Sequence, residues 1–302
     1  MMKTYKVTRK ELKERRIDFD YSNTESSIRT ITIDGNKMVL KVFTEPYTQS
    51  YLDNKMYVIQ ELNNYRKQLE SASESFILPE MIAINEESKK IGYIMRYVAG
   101  KNLETVLDDD NVSLRKKLNY LKQMCSLLNS CDNLRKKYSG LSNFYINDLH
   151  VNNFITNNGN LYLCDMDSCR IGESRHQNSR YLVTSEGLSS FKGSKYPNFL
   201  KFTGCIANRN TDLYCAIIVI MNFLYGGPIQ TLSRKEFDKY INYLRSTTDL
   251  SEKLLSVFSQ IYKNGDNINP KEYLDTITEK SLVKAHYLQF GTHELLSKFK
   301  KS

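Results

Sequence analysis

The hydrophobic pattern changes period at Gly100, and that change constrains the fold more than any other feature of the chain. Before it, residues 29–33 and 38–43 are strand-like and flank Asp34-Gly35-Asn36, a strong hairpin signal. Residues 52–69 follow with Met56, Ile59, Leu62 and Tyr65 at three-residue steps, which predicts a helix. Two further strand-like runs, 81–85 and 91–97, enclose the polar turn Glu86-Glu87-Ser88-Lys89. After Gly100 the texture is helical. Leu114, Leu118, Leu121, Cys125 and Leu128 mark one face of a long helix, with Ser113 placed as its N-cap. Residues 154–155 and 161–163 form two short strand-like runs joined by Asn157-Asn158-Gly159. An irregular stretch over 172–210 precedes an apolar helix over 212–225, and amphipathic helices continue to near Phe299. A β-rich part followed by a mainly helical part predicts an α+β architecture with a cleft between the two.

Composition supplies the material and narrows the function classes. The 302 residues are 40% hydrophobic and 25% charged, enough for a sizeable core and unlike a disordered chain. Lys+Arg number 43 against 34 Asp+Glu, a net +9. Residues 1–16 carry 7 basic and 2 acidic side chains and residues 279–302 carry 5 and 2, which leaves 31 against 30 in between. The excess therefore sits at the two ends, and no nucleic-acid partner is expected. The ends are solvated faces, or docking or weak membrane-surface contacts. Six cysteines with no C-x-x-C pair exclude a disulfide scaffold and a zinc finger. No signal peptide is read at the charged N-terminus. The longest apolar run, 213–225, is 13 residues with Asn222 inside it, too short for a transmembrane segment. A cytoplasmic protein is expected.

The chemistry is concentrated in one stretch. Asp148 is followed five residues later by Asn153, then by the short hairpin, then by Asp165 at the end of an apolar strand. Phosphoryl transfer is mainly positioning and charge neutralisation, so it needs hard oxygen ligands for Mg²⁺ and a group that orients the attacking hydroxyl. In this pattern the chain resembles the protein kinase superfamily, and the resemblance extends in order over residues 17–278. Met38-Val39-Leu40-Lys41-Val42-Phe43 is similar to the strand whose lysine contacts the α- and β-phosphates. Glu61 matches the helix glutamate that pairs with that lysine. Residues 94–100 resemble the last N-lobe strand and the hinge, with Met95 gatekeeper-like and Arg96, Tyr97 and Val98 facing adenine. Thr211-Asp212-Leu213-Tyr214 resembles the start of the central C-lobe helix, whose aspartate braces the catalytic loop.

The resemblance implies a two-lobed protein-kinase-like fold: a basic extension over 1–16, an N-lobe over 17–94, a hinge over 95–100, a C-lobe over 101–278 and a helical tail over 279–302. It implies ATP and Mg²⁺ as cofactors, Asp148 as the base, Lys41 and Glu61 setting the phosphates, and Asn153, Asp165 and Asp167 around the metal. Several departures accompany it. The phosphate loop over 21–28 contains no glycine, so Asn23 and Ser26 would have to approach the phosphates instead. The H-R-D motif is Ile146-Asn147-Asp148, the D-F-G motif is Asp165-Met166-Asp167, and Tyr196-Pro197-Asn198 is the nearest match to A-P-E. The expected activity is a divergent Ser/Thr protein kinase acting on a protein substrate. His150 and Asp167 favour a small-molecule kinase of aminoglycoside- or choline-kinase type as the alternative, and the glycine-free loop favours a nucleotide-binding pseudokinase scaffold.

Overall fold

The computed structural model describes residues 2–13, 26–44 and 48–172, together with positions 212, 215, 216, 218–220, 222, 223 and 242. The chain is mixed α/β. Its larger sheet has five strands in the order β1-β4-β5-β3-β2, and a smaller one has three in the order β6-β7-β8.

The hairpin read from the sequence forms between β2 (Ser26–Ile33) and β3 (Asn36–Phe43). Its two-residue loop, Asp34-Gly35, has φ of 49° and 76°, the left-handed pair that a type I′ turn requires. β3 then lies inside the sheet, antiparallel to β2 on one side and to β5 (Lys90–Arg96) on the other. Lys41 is therefore an interior residue, 5% exposed, and not an edge lysine. Gly92 is the close-approach point of this pairing. A Cβ there would stand 1.9 Å from the backbone oxygen of Lys41. Gly92→Ala must therefore separate β5 from β3, and an urea titration should show a loss of about 3 kcal/mol.

One strand departs from expectation. Residues 1–16 read as a basic extension, yet β1 (Lys3–Lys6) pairs parallel with β4 (Pro79–Ile84) at the sheet edge. Met2 and Val7 are buried at its two ends while Lys3 and Lys6 stay exposed, so the charges that suggested a tail protect an edge strand. The turn after it is a capping box. The Thr8 hydroxyl accepts from the Glu11 amide at 3.2 Å, and Glu11 Oε2 accepts from the Thr8 amide at 2.8 Å, opening α1 (Arg9–Lys13).

The helix expected over 52–69 is divided. α2 (Gln49–Asn64) is capped by Thr48, Tyr65 at φ −98° and ψ 14° marks the junction, and α3 (Arg66–Ala72) follows. Met56 and Ile59 of α2 pack under the large sheet with Val39, Phe43, Tyr93 and Met95. Val58 and Leu62 join a second core built on α5 (Leu114–Lys137), whose N-cap is Ser113. Its buried face includes Leu118, Leu121, Cys125 and Leu128. Thus one helix touches both cores.

The second hairpin, β7 (Phe154–Asn157) and β8 (Asn160–Leu163), closes through Asn158-Gly159 at φ 48° and 85° and is joined by β6 (Lys101–Asn102). α4 (Leu103–Asp108) leads from β6 toward α5. The end of β8 is tied to the segment ahead of β4: the Leu163 amide donates to Ser75 O at 2.8 Å and the Ile77 amide to Leu163 O at 2.9 Å. That tie delivers residues 164–168 beneath the large sheet. Among the described residues no helix is long and apolar enough to cross a membrane.

Candidate functional site

Four segments converge at the end of β8. From β3 comes Lys41, whose Nζ donates to Asp165 Oδ1 and, at 2.6 Å, to Asp167 Oδ2. From α2 comes Lys55, whose Nζ donates to Asp167 Oδ1 and to Ser168 Oγ, each at 2.6 Å. Asp167 is fully buried and both ammonium groups nearly so, whereas the Asp165 side chain is 28% exposed. The Phe43 and Tyr93 rings lie beside Lys41, their centroids 6.0 and 5.8 Å from its Nζ. Water is thus displaced from the lysine on its sheet side, and the charges must satisfy one another.

The loop over 145–153 forms the other wall. The Tyr145 amide donates to Arg170 O, and the Arg170 amide donates back to Tyr145 O, both at 2.9 Å. Ile146 and Asn147 are buried. Their backbone amides both donate to the Asp212 carboxylate at 2.8 Å, and Asn147 Nδ2 donates to Ser168 O at 2.9 Å. Asn153 Nδ2 donates to Asp148 O at 2.8 Å and to Asp148 Oδ2 at 3.2 Å. The Asn153 carbonyl accepts from the Cys164 amide at 2.8 Å, which fixes the loop to the residue preceding Asp165. His150 caps the short turn Val151–Asn153 by accepting from the Asn152 amide, and its Nε2 lies 3.7 Å from Asp148 Oδ1.

Among the described residues five non-glycine residues have positive φ. Asp34, Ser88 and Asn158 belong to hairpin turns, but Asn147 (66°) and Asp165 (60°) belong to this site. Strain of this kind persists only where surrounding bonds hold it. Here Asp212 and Ser168 hold Asn147, and Lys41 holds Asp165.

The electrostatics separate the carboxylates. Burial raises Asp148, but the hydrogen bond and charge of His150, the Lys55 charge and the Asn153 amide outweigh it and hold the group below the usual carboxylate range. Burial and then the Asp167 charge push Asp165 up to about 6, against Lys41 and Lys55. Asp167 is driven far down: burial opposes its charge, but two lysines overcome it. Burial likewise opposes both ammoniums, and Asp165 and Asp167 raise Lys41 while chiefly Asp167 raises Lys55. Burial raises Asp212 to about 6 against the two backbone amides it accepts.

One expected placement is corrected. Glu61 does not pair with Lys41. Its carboxylate accepts from Asn64 Nδ2 at 2.9 Å and lies beside Gly172, because six residues, about 1.7 turns, separate it from the face that carries Lys55. Asp167, expected near the metal, has a lysine on each of its oxygens. Lys55 is the residue that sequence reasoning missed. The available signal was a lysine on the stripe 55, 59, 62, where the neighbours are core residues.

The other expected residues that are described lie on β2, on β5 and in the segment just after β5. Met95 is buried opposite Val39, Tyr97 and Val98 pack against the core under the sheet, and Arg96 donates to Glu74 O at 2.8 Å with its guanidinium over Tyr162. Ser26 is buried on β2 opposite Phe43. Asn23, the rest of the expected phosphate loop before Ser26, the Tyr196-Pro197-Asn198 segment and the 279–302 tail lie outside the described residues.

Among the described residues no three His, Cys, Asp or Glu side chains are grouped to hold a metal by themselves. Asp165 and Asn153 nevertheless suit Mg²⁺, which takes one or two protein oxygens and completes its shell with phosphates and water. Asp165 Oδ2 is not used by Lys41, and Asn153 spends only Nδ2 on Asp148, so its Oδ1 remains for a cation. Compared with known proteins, the chain matches no family model and no curated protein.

Proposed function

We propose that this chain is an ATP- and Mg²⁺-dependent phosphotransferase with a two-lobed, protein-kinase-like architecture, transferring the γ-phosphate to a Ser or Thr hydroxyl of a protein. The observation that carries the reading is the meeting of Lys41, Asp165, Asp148 and Asn153, from three separate segments, with Asp212 bonded behind them. Bound Mg²⁺ would neutralise the charge on the phosphates. Asp165 and Asn153 would hold it, and Lys41 would contact the nucleotide phosphates from the sheet. Asp148 stays ionised near neutral pH and would orient the acceptor hydroxyl, its carboxylate kept in place by Asn153.

Incubation with Mg²⁺ and γ-labelled ATP tests the reading. Label is expected on the chain itself or on a generic protein substrate. Asp148→Ala should lower it by about 10²–10⁴-fold while the nucleotide-induced thermal shift is retained. No transfer with the thermal shift intact would replace the reading with a binding scaffold. Turnover confined to a panel of small-molecule alcohols would replace the protein acceptor with a metabolite.

A further inference from the structure

We infer that Lys55 is a positioning residue of this site, acting through Asp167 on Lys41, so that a Lys41–Asp167–Lys55 clamp takes the place in which a strand lysine and a helix glutamate would pair. The inference rests on the phosphotransferase reading for its kinetic test and on geometry alone for the clamp.

The clamp has an inner and an outer arm. The inner arm is Asp167, fully buried, with one oxygen on each lysine at 2.6 Å. The outer arm is the Lys41–Asp165 pair, whose carboxylate is 28% exposed. A polyphosphate arriving from the open side can exchange with Asp165 at Lys41 without disturbing the inner arm. Lys41 then keeps its place because Asp167 still holds it. Asp167 in turn is held by Lys55, which is also anchored to Ser168. Lys55 is 4% exposed and its Nζ is spent on Asp167 and Ser168, so its part is to place other groups.

The arrangement also joins α2 to the site. α2 carries Met56 and Ile59 in the core under the sheet and Val58 and Leu62 in the core on α5. A helix anion in this position would face Asp167 at close range and be repelled. With aspartate at 167 in place of glycine, the helix must supply a cation, and Lys55 supplies it. The charge at 167 and the charge on the helix therefore depend on each other.

The experiment compares Lys55→Met, Lys55→Arg, Asp167→Asn and the Lys55→Met/Asp167→Asn double variant. Lys55→Met is expected to lower kcat about a hundredfold with nucleotide affinity within about threefold, as misplacement of a positioned group does. Lys55→Arg should recover at least about a third of kcat. The double variant should regain thermal stability, because no unpaired buried carboxylate remains, and yet transfer at about the rate of the slower single variant. Losses that multiply in the double variant, or a folded Lys55→Met chain that keeps more than about a third of wild-type kcat, would overturn the inference. Amide hydrogen exchange gives a readout that does not need turnover. Lys55→Met should speed exchange over residues 52–58 of α2 about tenfold relative to α5, and an unchanged α2 would overturn the clamp. A wild-type chain that transfers no phosphate while α2 still responds would overturn the phosphotransferase reading and leave the clamp standing.

Discussion

Asp167→Ala is expected to cost about 3–5 kcal/mol of folding stability, because it leaves two buried ammonium groups facing each other with their shared anion removed. The loss exceeds that of a surface ion pair, worth about 0–1 kcal/mol, since neither lysine can turn to water from beneath the sheet. Its pH dependence gives the mechanism away. In the wild type both lysines have raised pKa values, so their contribution is present below the ordinary lysine range and is lost only as pH rises above it. In the alanine variant Lys41 keeps Asp165, whereas Lys55 loses its chief anion, so burial acts on Lys55 with less opposition and drives its value down. The variant should therefore recover stability as pH rises from 7 toward 10, while the wild type gains nothing there. Urea midpoints at pH 7 and pH 9.5 measure both slopes, and parallel slopes would refute the account.

Much of this frame was legible in the sequence, for reasons that can be located. The Asp34-Gly35 and Asn158-Gly159 loops announce their hairpins because few residues other than these accept left-handed φ without cost. Ser113 announces α5 because its hydroxyl can accept from the Lys116 amide. The strand lysine was legible because apolar residues surround it on both sides. What was not legible depends on partners distant in sequence. Lys41 and Asp165 are 124 residues apart, and whether Glu61 or Lys55 turns toward them depends on the rotation of α2, which Met56 and Ile59 on one core and Val58 and Leu62 on the other decide together. Glu61 matched a pattern of residue types; Lys55 matched the packing. β1 was missed for a similar reason. Four residues with two exposed lysines become a strand only when β4 offers an open parallel edge.

The two buried lysines also explain how the site tolerates its own charge. Asp148, Asp165 and Asp167 lie close enough to influence one another, and a third carboxylate would ordinarily raise the pKa values of the other two. Lys41 and Lys55 return the inner region to near neutrality. The remaining negative charge falls mainly on Asp165 and Asp148, the two carboxylates nearest the place where a metal and an acceptor hydroxyl would sit. Asp165, pushed up to about 6, is the one whose anion is least well compensated, and that is a property a cation ligand can use.

Asp212→Ala should be the second severe variant, and it acts from behind the site. The Asp212 carboxylate accepts from the amides of Ile146 and Asn147, both buried, and truncation removes the acceptor of both. Two unsatisfied buried amides cost about 1–3 kcal/mol each, so a loss of about 3–5 kcal/mol at pH 5 is expected. Asn147 would then relax from φ 66°, and Asp148, the next residue, would lose its position, lowering transfer about a hundredfold. The sign with pH follows from burial. The folded value of Asp212 is raised to about 6, so the wild type holds this contribution fully below about pH 4 and loses it as pH rises through 6. Ionisation of the buried acid costs the wild type about 3 kcal/mol across that window, and the alanine variant escapes that cost. The stability gap between the two proteins should thus narrow from pH 4 to pH 7 while the deficit in transfer persists. A gap that widened over the same range would mean that the two amides stabilise the anion more than burial disfavours it.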